Sequence, residues 1–285
     1  MKSSNKPKSS KKEVVKEKIN DLDLSKWKDY EDLITDSLWL IQSRDKSGAH
    51  SNIFHGNFVP QIPNQLIRRF TKPGDVIVDA FLGSGTTLIE AQRLGRLGIG
   101  VELSKTTAAI AQRTIEGDCG STNVLEQNIL IGDSRSIKIK QSIEAILSKF
   151  GKTKVELLIL HPPYDNILKF SEDESDLSNM PTTQRFIEAF GDVIENLGDF
   201  VKKNGHIALV IGDKYSESEW VPLGFNLMQE TLDRSHNLIL KSVIVKNMSG
   251  NRAKQNQEQL WRYRSLSGGF YVFKHEYIFL FKRIK

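Results

Sequence analysis

Short apolar runs alternate with amphipathic segments from residue 76 to residue 212, and this alternation leaves few folds open to the chain. The runs VIVDAF, IGVEL, NILIGD, VELLIL and HIALVIG are short, rich in β-branched residues and bounded by glycine, proline or polar residues. Strands that alternate with helices along a chain form a mostly parallel sheet covered by helices on both faces. The sequence therefore predicts an α/β fold with a doubly wound sheet.

We expect seven strands, at residues 76–81, 99–103, 128–133, 155–160, 206–212, 238–245 and 276–281. The expected helices lie at residues 30–41, 60–70, 86–96, 105–116, 141–150, 183–202 and 223–234. No helical segment separates the last two strands, so we expect them to form an antiparallel edge. Ligands of such sheets bind beyond the carboxyl ends of the strands, where the strand order reverses.

Composition and charge narrow the class of protein. The chain has 285 residues, and none of its segments approaches the roughly 20 apolar residues that cross a bilayer. With Cys119 as the only cysteine, a disulfide framework and a cysteine zinc site are excluded, and we expect a cytoplasmic protein without a metal. Residues 1–20 carry a net charge of +5 and residues 246–285 a net charge of +7, against −7 for the remainder. Basic ends on an acidic body favour a polyanionic partner, although they also serve solubility.

The chain divides into a basic arm and one domain. Residues 1–25 are polar and lysine-rich, and we expect them to be disordered. Residues 26–285 form the predicted domain, with a polar, basic insertion at about residues 246–272 between the last two strands.

A glycine-rich loop directly follows the first buried strand, in the segment DAFLGSGTT that starts at Asp79. A Walker loop requires Lys-Ser/Thr after its last glycine, and a dinucleotide loop prefers glycine where this chain has Leu88. An S-adenosylmethionine loop remains, and carboxylates follow at the next strand ends, at Glu102 and Asp133. Such acids can bind a ribose diol and an adenine amino group, although a strand-end acid often only caps the next helix.

The fourth buried strand runs directly into His161-Pro162-Pro163-Tyr164. Two consecutive prolines have no N–H donor and a fixed φ, so the segment is rigid and its carbonyl groups stay free as acceptors. A stiff turn with a packing tyrosine would show the same pattern.

Together these motifs resemble the amino-methylating DNA methyltransferases, which produce N4-methylcytosine or N6-methyladenine. The family loop D-x-F-x-G-S-G-T is matched by Asp79, Phe81, Gly83, Ser84, Gly85 and Thr86. The family element [DNS]-P-P-[YF] is matched by Pro162, Pro163 and Tyr164, with His161 at its first position. Residues 55–70 are similar to the helix that closes over the cofactor, and residues 274–283 look like the final edge strand.

The resemblance covers about residues 50–285 and implies a Rossmann-like methyltransferase fold with S-adenosyl-L-methionine as cofactor. The implied cofactor-binding residues are the six of the loop together with Glu102, Asp133, Phe58 and Pro60. In many relatives with this loop the catalytic element comes first, so this chain resembles a circularly permuted form. His161 replaces the family's Asp, Asn or Ser.

The resemblance also implies a mechanism, in which the target base leaves the helical stack and enters a pocket. The Pro162 carbonyl and a neutral His161 would accept the two N–H bonds of the base amine, and Tyr164 would stack on the base. The methyl group would then transfer in line, and His161 could also collect the amine proton. Methylation at cytosine C5 is disfavoured, because it requires a cysteine nucleophile, usually in Pro-Cys, whereas Cys119 lies in Asp-Cys-Gly between elements.

Nucleic acid is expected to contact the insertion, where basic residues interleave with aromatic ones. The candidate contacts are Arg252, Lys254, Arg262 and Arg264, with residues 213–222 and the basic arm as further possibilities. The implied partner is double-stranded DNA with a flipped base, and a cognate restriction endonuclease would share the recognition site. Cytosine N4 is favoured over adenine N6 because His161 is not the Asp common among adenine enzymes. An RNA methyltransferase and a non-catalytic nucleic-acid-binding protein are the alternatives.

Overall fold

An eight-stranded sheet forms the centre of the computed structural model, which describes residues 18–50, 56–118, 125–248 and 258–285. A small two-stranded hairpin accompanies the sheet. The strands are β1 (Leu38–Trp39), β2 (Val76–Asp79), β3 (Leu97–Glu102), β4 (Gln127–Ile131), β5 (Val155–Leu160), β6 (Val201–Ile211), β7 (Lys214–Ser216), β8 (Glu219–Val221), β9 (Leu238–Asn247) and β10 (His275–Arg283). The helices are α1 (Gln61–Phe70), α2 (Thr86–Arg93), α3 (Lys105–Glu116), α4 (Ile137–Lys149), α5 (Thr183–Leu197), α6 (Leu223–Arg234) and α7 (Glu258–Gly268).

The strand order across the large sheet is β1-β9-β10-β6-β5-β2-β3-β4. Neighbouring strands are parallel except at β10, which runs antiparallel to both β6 and β9. The predicted mostly parallel sheet and the antiparallel pairing of the last two strands are confirmed. The prediction that the antiparallel strand lies at the edge is wrong, because β10 is inserted between two strands. Its side chains Ile278, Phe279 and Phe281 are fully buried, as both faces of an inner strand require.

The two faces of the sheet bury separate apolar clusters because successive strand residues point to opposite faces. On one face, Val78 of β2 and Leu158 of β5 pack with apolar residues of α4, α5 and α6. On the other face, Ile77 and Leu157 pack with α1 and with Trp39 of β1. Helices on both faces hold the strand ends in fixed positions, and these ends carry the loops described below.

The predicted helix at residues 30–41 is wrong. This segment follows a 3₁₀ helix at Leu24–Asp29 and ends in β1, whose Leu38 is in register with Val245 of β9. The buried indole of Trp39 anchors the strand to the sheet. A pairing partner about 200 residues away in sequence thus overrides the local pattern.

Other element boundaries differ at their ends. The helix predicted at residues 183–202 ends at Leu197, and its last two residues belong to β6. The insertion between β9 and β10 contains α7, and residues 214–221 form the hairpin β7–β8. Within the described residues, α5 is the longest helix at 15 residues, and no helix there is long and apolar enough to span a membrane.

Parts of the sequence analysis concern residues that the structure does not describe. They are residues 1–17 of the basic arm, Cys119, and residues 249–257 of the insertion with Arg252 and Lys254.

Candidate active site

A cavity of about 840 Å³ opens at the carboxyl edge of the sheet. The strand order places the carboxyl ends of β4, β3, β2 and β5 side by side at this edge, with the order reversing between β5 and β2. The residues that follow each of these four strands line the cavity, and segments 42–46 and 56–59 lie across it. A volume of this size is ordinary for a site that holds a ligand of nucleoside dimensions.

The glycine-rich loop connects β2 to α2 and forms one wall of the cavity. Gly83 has φ 56° and Gly85 has φ 93°, a left-handed conformation that favours glycine. A Cβ on Gly85 would also lie 3.2 Å from Ile115 of α3. Phe81, Gly83 and Thr86 line the cavity, as the sequence predicts for contacts with a cofactor.

Four of the predicted cofactor residues lie behind this wall or beside it. Asp79 is 1% exposed and accepts a hydrogen bond of 2.9 Å from the Phe81 N–H. Burial raises the pKa of Asp79 to about 6, opposed by the hydrogen bond from the Phe81 N–H. Ser84 accepts a hydrogen bond from Asn57, and Gly85 and Pro60 precede the first turns of α2 and α1. Asp79, Ser84 and Gly85 belong to the loop and Pro60 to the start of α1, and none of the four is among the residues that line the cavity.

Glu102 ends β3 and faces the cavity. One of its carboxylate oxygens accepts a hydrogen bond of 2.9 Å from the Gly83 N–H, and the other accepts one of 2.8 Å from the Ser104 N–H. Each oxygen can accept one further hydrogen bond. Burial raises the pKa of Glu102 to about 7, against the effect of the two backbone donors.

Asp133 lies beyond the end of β4 and also lines the cavity. Its carboxylate is paired with the Arg135 side chain, whose Nε lies 3.0 Å from both carboxylate oxygens. The Arg135 N–H donates a further hydrogen bond of 2.9 Å to Asp133. Asp133 therefore lies at the predicted place, and both of its carboxylate oxygens already contact Arg135.

The segment His161-Pro162-Pro163-Tyr164 follows β5, next to the glycine-rich loop, and all four of its residues line the cavity. The His161 ring lies 4.8 Å from the Phe58 ring and 5.8 Å from the Tyr164 ring, measured between centroids. Burial lowers the pKa of His161 to about 4, although the Glu276 carboxylate opposes the shift. The imidazole is therefore neutral near pH 7.

Two charged residues in the cavity wall were not singled out from the sequence. Glu276 is the second residue of β10 and Lys246 is its cross-strand neighbour on β9, and both side chains are buried. Lys246 Nζ lies 2.8 Å from one Glu276 oxygen, and the Tyr164 hydroxyl donates a hydrogen bond of 2.7 Å to the other. A basic residue near the end of one apolar strand and an acidic residue near the start of the next were the available signal.

The mouth of the cavity has apolar rims. Phe58 faces His161 on one side, and Ile167, Leu168 and Phe170 from the loop after β5 lie on the other. These three side chains of the loop are 40–56% exposed. A Cβ on Gly56 would lie 3.0 Å from the Phe170 ring, so the two rims touch at this point.

The predicted nucleic-acid contacts are only partly described. Arg262 and Arg264 lie exposed on α7, and the Arg264 guanidinium lies 5.3 Å from the Trp261 ring centroid. Arg252 and Lys254 lie outside the described residues. The chain after α7 packs on the β7–β8 hairpin, where Phe270 stacks on Tyr215 at 4.1 Å. The insertion and residues 213–222 are therefore parts of one surface.

Comparisons with known sequences point to one family. A family model described as DNA methylase matches residues 1–113. The chain is 42% identical over 67 residues to Type II methyltransferase M2.DpnII of Streptococcus pneumoniae. The aligned region covers 22% of this chain and 25% of that protein. It is 33% identical over 93 residues to Type II methyltransferase M.Cfr9I of Citrobacter freundii, which covers 31% of this chain and 28% of that protein.

The chain is also similar to Type II methyltransferase M.MjaII of Methanocaldococcus jannaschii, with 37% identity over 59 residues. That match covers 21% of this chain and 11% of the relative. The chain thus aligns with between 11% and 28% of the length of these three relatives.

Among solved structures, TrmN from Thermus thermophilus superposes with a TM-score of 0.51 at 14% sequence identity. The match covers 81% of this chain and 50% of that chain. At this level of identity the likeness concerns the fold, and it agrees with the predicted Rossmann-like architecture.

Proposed function

We propose that the chain methylates an exocyclic amine of a DNA base, and the match of residues 1–113 to the DNA methylase family model supports this proposal. The methyl donor is S-adenosyl-L-methionine. One observation carries the proposal: Gly83 of the glycine-rich loop and Tyr164 of the proline segment line the same cavity. A donor seated on the loop and a base held by the proline segment would therefore meet.

The residues of the cavity fit the methyl donor. Glu102 has one acceptor site left on each carboxylate oxygen, which suits a ribose diol. The Gly83 turn allows close approach of a ligand to the backbone, and Asp133 reaches the cavity from the next strand. When bound, the donor supplies a methyl group already activated by its sulfonium charge, so positioning by the protein is the main requirement.

The proline segment would hold the acceptor amine. Because Pro162 and Pro163 fix their φ angles, the Pro162 carbonyl is a rigid acceptor for one N–H of the amine. The neutral His161 imidazole can accept the other N–H, and the Tyr164 ring can stack on the base.

His161 is better suited to accepting a hydrogen bond than to keeping a proton. With its pKa lowered to about 4, a protonated imidazole would lose the proton again at pH 7. We therefore assign His161 a role in orienting the amine and leave proton removal to solvent.

Cytosine N4 is the proposed target, with adenine N6 as the second candidate. The proposal rests on His161, which replaces the Asp that is common among adenine enzymes of the family. The relatives named above are Type II methyltransferases, and on that basis we propose that the protein protects the site of a restriction endonuclease. The proposed substrate is double-stranded DNA with the target base extruded into the cavity.

The test incubates the protein with DNA and a methyl-labelled donor, then identifies the labelled nucleoside by mass spectrometry. Label in N4-methylcytosine is the expected result, and label in N6-methyladenine would reverse the choice of base. Label only in RNA controls would favour an RNA methyltransferase, and failure to bind the donor would favour a non-catalytic binding protein. His161→Ala should reduce incorporation, whereas His236→Ala, at an exposed histidine, should not.

A further inference from the structure

We infer that Glu276, held by Lys246, is a positioning residue that sets the orientation of the Tyr164 ring at the base-binding side of the cavity. The inference deepens the proposed function and rests on it. It assigns a task to a buried acid–base pair that the glycine loop and the proline segment leave unexplained.

The topology of the sheet brings the three residues together. Glu276 and Lys246 are directly opposite each other in the β9–β10 register. Because β10 is antiparallel to its neighbours, its first residues lie at the carboxyl edge, where Tyr277 pairs with Ile211 at the end of β6. Tyr164 follows the end of β5, the strand next to β6, so its hydroxyl reaches Glu276 across the edge.

Each oxygen of the Glu276 carboxylate has its own partner. One accepts the Tyr164 hydroxyl at 2.7 Å, and the other accepts Lys246 Nζ at 2.8 Å. Lys246 is 4% exposed and Glu276 is 5% exposed. A buried charge that loses its partner is strongly destabilising, so each member of the pair keeps the other in place.

The Tyr164 ring is confined on its other sides as well. A Cβ on Gly212 would lie 2.7 Å from Tyr164 Cε2, so the ring occupies space that only glycine leaves open. The His161 ring meets it edge to face at 5.8 Å. The hydrogen bond to Glu276 is thus the contact that fixes the distal end of a ring already wedged at its base.

Protonation favours the same arrangement. Burial and the Glu276 carboxylate raise the pKa of Tyr164 well above its ordinary value, so the phenol remains a donor at any working pH. A carboxylate only accepts, and the bond between them therefore has one direction. The family pattern also allows phenylalanine at this place, which has no hydroxyl, so the pattern itself does not require this contact.

A double-mutant cycle in methyl transfer tests the role. Glu276→Ala and Tyr164→Phe should each lower kcat by about tenfold while KM for the methyl donor stays unchanged, because a misplaced ring affects the reacting geometry. The double variant should lose no more than either single variant, since both remove the same contact. Glu276→Gln, whose amide oxygen still accepts the hydroxyl, should recover part of the rate.

The Tyr164 ring also has a readout that does not require activity. With ¹³C-labelled tyrosine, the Tyr164 Cζ signal, assigned through Tyr164→Phe, should shift in Glu276→Ala. The control is Glu156→Ala, which removes the ion pair between Glu156, near the start of β5 on the opposite edge of the sheet, and the partly exposed Lys202. That variant should leave both the Tyr164 signal and kcat unchanged.

Losses that multiply in the double variant, or an unmoved Cζ signal in Glu276→Ala, would overturn the inference. A wild-type protein that binds no donor and methylates no nucleic acid would instead overturn the proposed function. In that case the Cζ shift would still decide whether Glu276 holds the ring.

Discussion

Burial pushes several ionisable side chains around the cavity towards their neutral forms. The pKa of Glu102 is raised to about 7 and that of Asp79 to about 6, whereas that of His161 is lowered to about 4. Desolvation is the largest cause in all three cases. The carboxyl groups of Glu102 and Asp79 therefore titrate at higher pH than ordinary carboxyl groups, and the His161 imidazole titrates at lower pH than an ordinary histidine.

For His161 we expect no titration within the working range of the protein. Because its pKa is about 4, the ratio of single-turnover rates of wild type and His161→Asn should stay constant between about pH 5.5 and 8. A proton acceptor with a pKa inside this window would instead change the ratio by up to about tenfold per pH unit. Single-turnover methylation across the window distinguishes the two outcomes.

For Glu102 we expect an effect on folding stability. Its folded pKa of about 7 lies above the ordinary value of 4.5, so the folded state binds the proton more tightly. The resulting stabilisation is complete below about pH 4.5 and disappears as the pH rises through 7. Wild type should therefore lose up to about 3 kcal/mol more than Glu102→Gln between pH 5 and 8 in denaturant unfolding.

Glu144→Gln, on the exposed face of α4, is the matched control for this comparison. Its unfolding free energy should follow that of wild type at each pH. A Glu102→Gln variant with the pH dependence of wild type would contradict the assignment of the titration to Glu102.

At the scale of elements, hydrophobic periodicity and the glycine, proline and polar residues that bound each run were sufficient to predict most strands of the sheet. Helix α3 and strand β5 have the predicted bounds, because each is a regular run with clear ends. The segment at residues 30–41 did not behave as its pattern suggests, since β1 exists only through its pairing with β9. The position of β10 between β6 and β9 likewise depends on which long-range strand pairing is most stable. The local sequence pattern does not predict which strands become neighbours.

The same distinction applies to the candidate site. Gly83 and Tyr164 belong to contiguous motifs, so the sequence alone identified them, and both line the cavity. Lys246 and Glu276 are about 30 positions apart and far from either motif, and only the β9–β10 register makes them a pair. Motifs record what is local in the chain, whereas cross-strand partners emerge only from the fold.

Gly212 directly follows β6 and supports the candidate site without binding a ligand. Gly212→Ala would place a Cβ 2.7 Å from Tyr164 Cε2, so the ring must move. We expect kcat to fall by about tenfold or more with a small change in thermal stability. Gly198→Ala is the control, because its Cβ would meet Ile194 at an ordinary 3.7 Å. Equal activity of the two variants would show that the ring tolerates displacement.

At the scale of the whole molecule, one edge of the sheet collects every group that the proposed reaction requires. The carboxyl ends of the parallel strands supply the loops, and the reversed β10 adds Glu276 to the same edge. The insertion between β9 and β10 also starts at this edge, because Met248, which directly follows β9, lines the cavity. A nucleic acid that rests on α7 would therefore have the cavity mouth near it.

This placement predicts that Arg262 and Arg264 contribute to DNA binding and not to donor binding. Arg262→Ala/Arg264→Ala should weaken DNA binding and lower the slope of log K against log salt by about 2, because each phosphate contact contributes about 0.9. The control Lys149→Ala/Lys154→Ala removes two exposed charges, at the end of α4 and just before β5, on the opposite edge of the sheet. Fluorescence anisotropy with labelled duplex and calorimetry with the methyl donor measure the two affinities. Equal losses in both affinities would indicate misfolding of the double variant, and an unchanged salt slope would place the DNA on another surface.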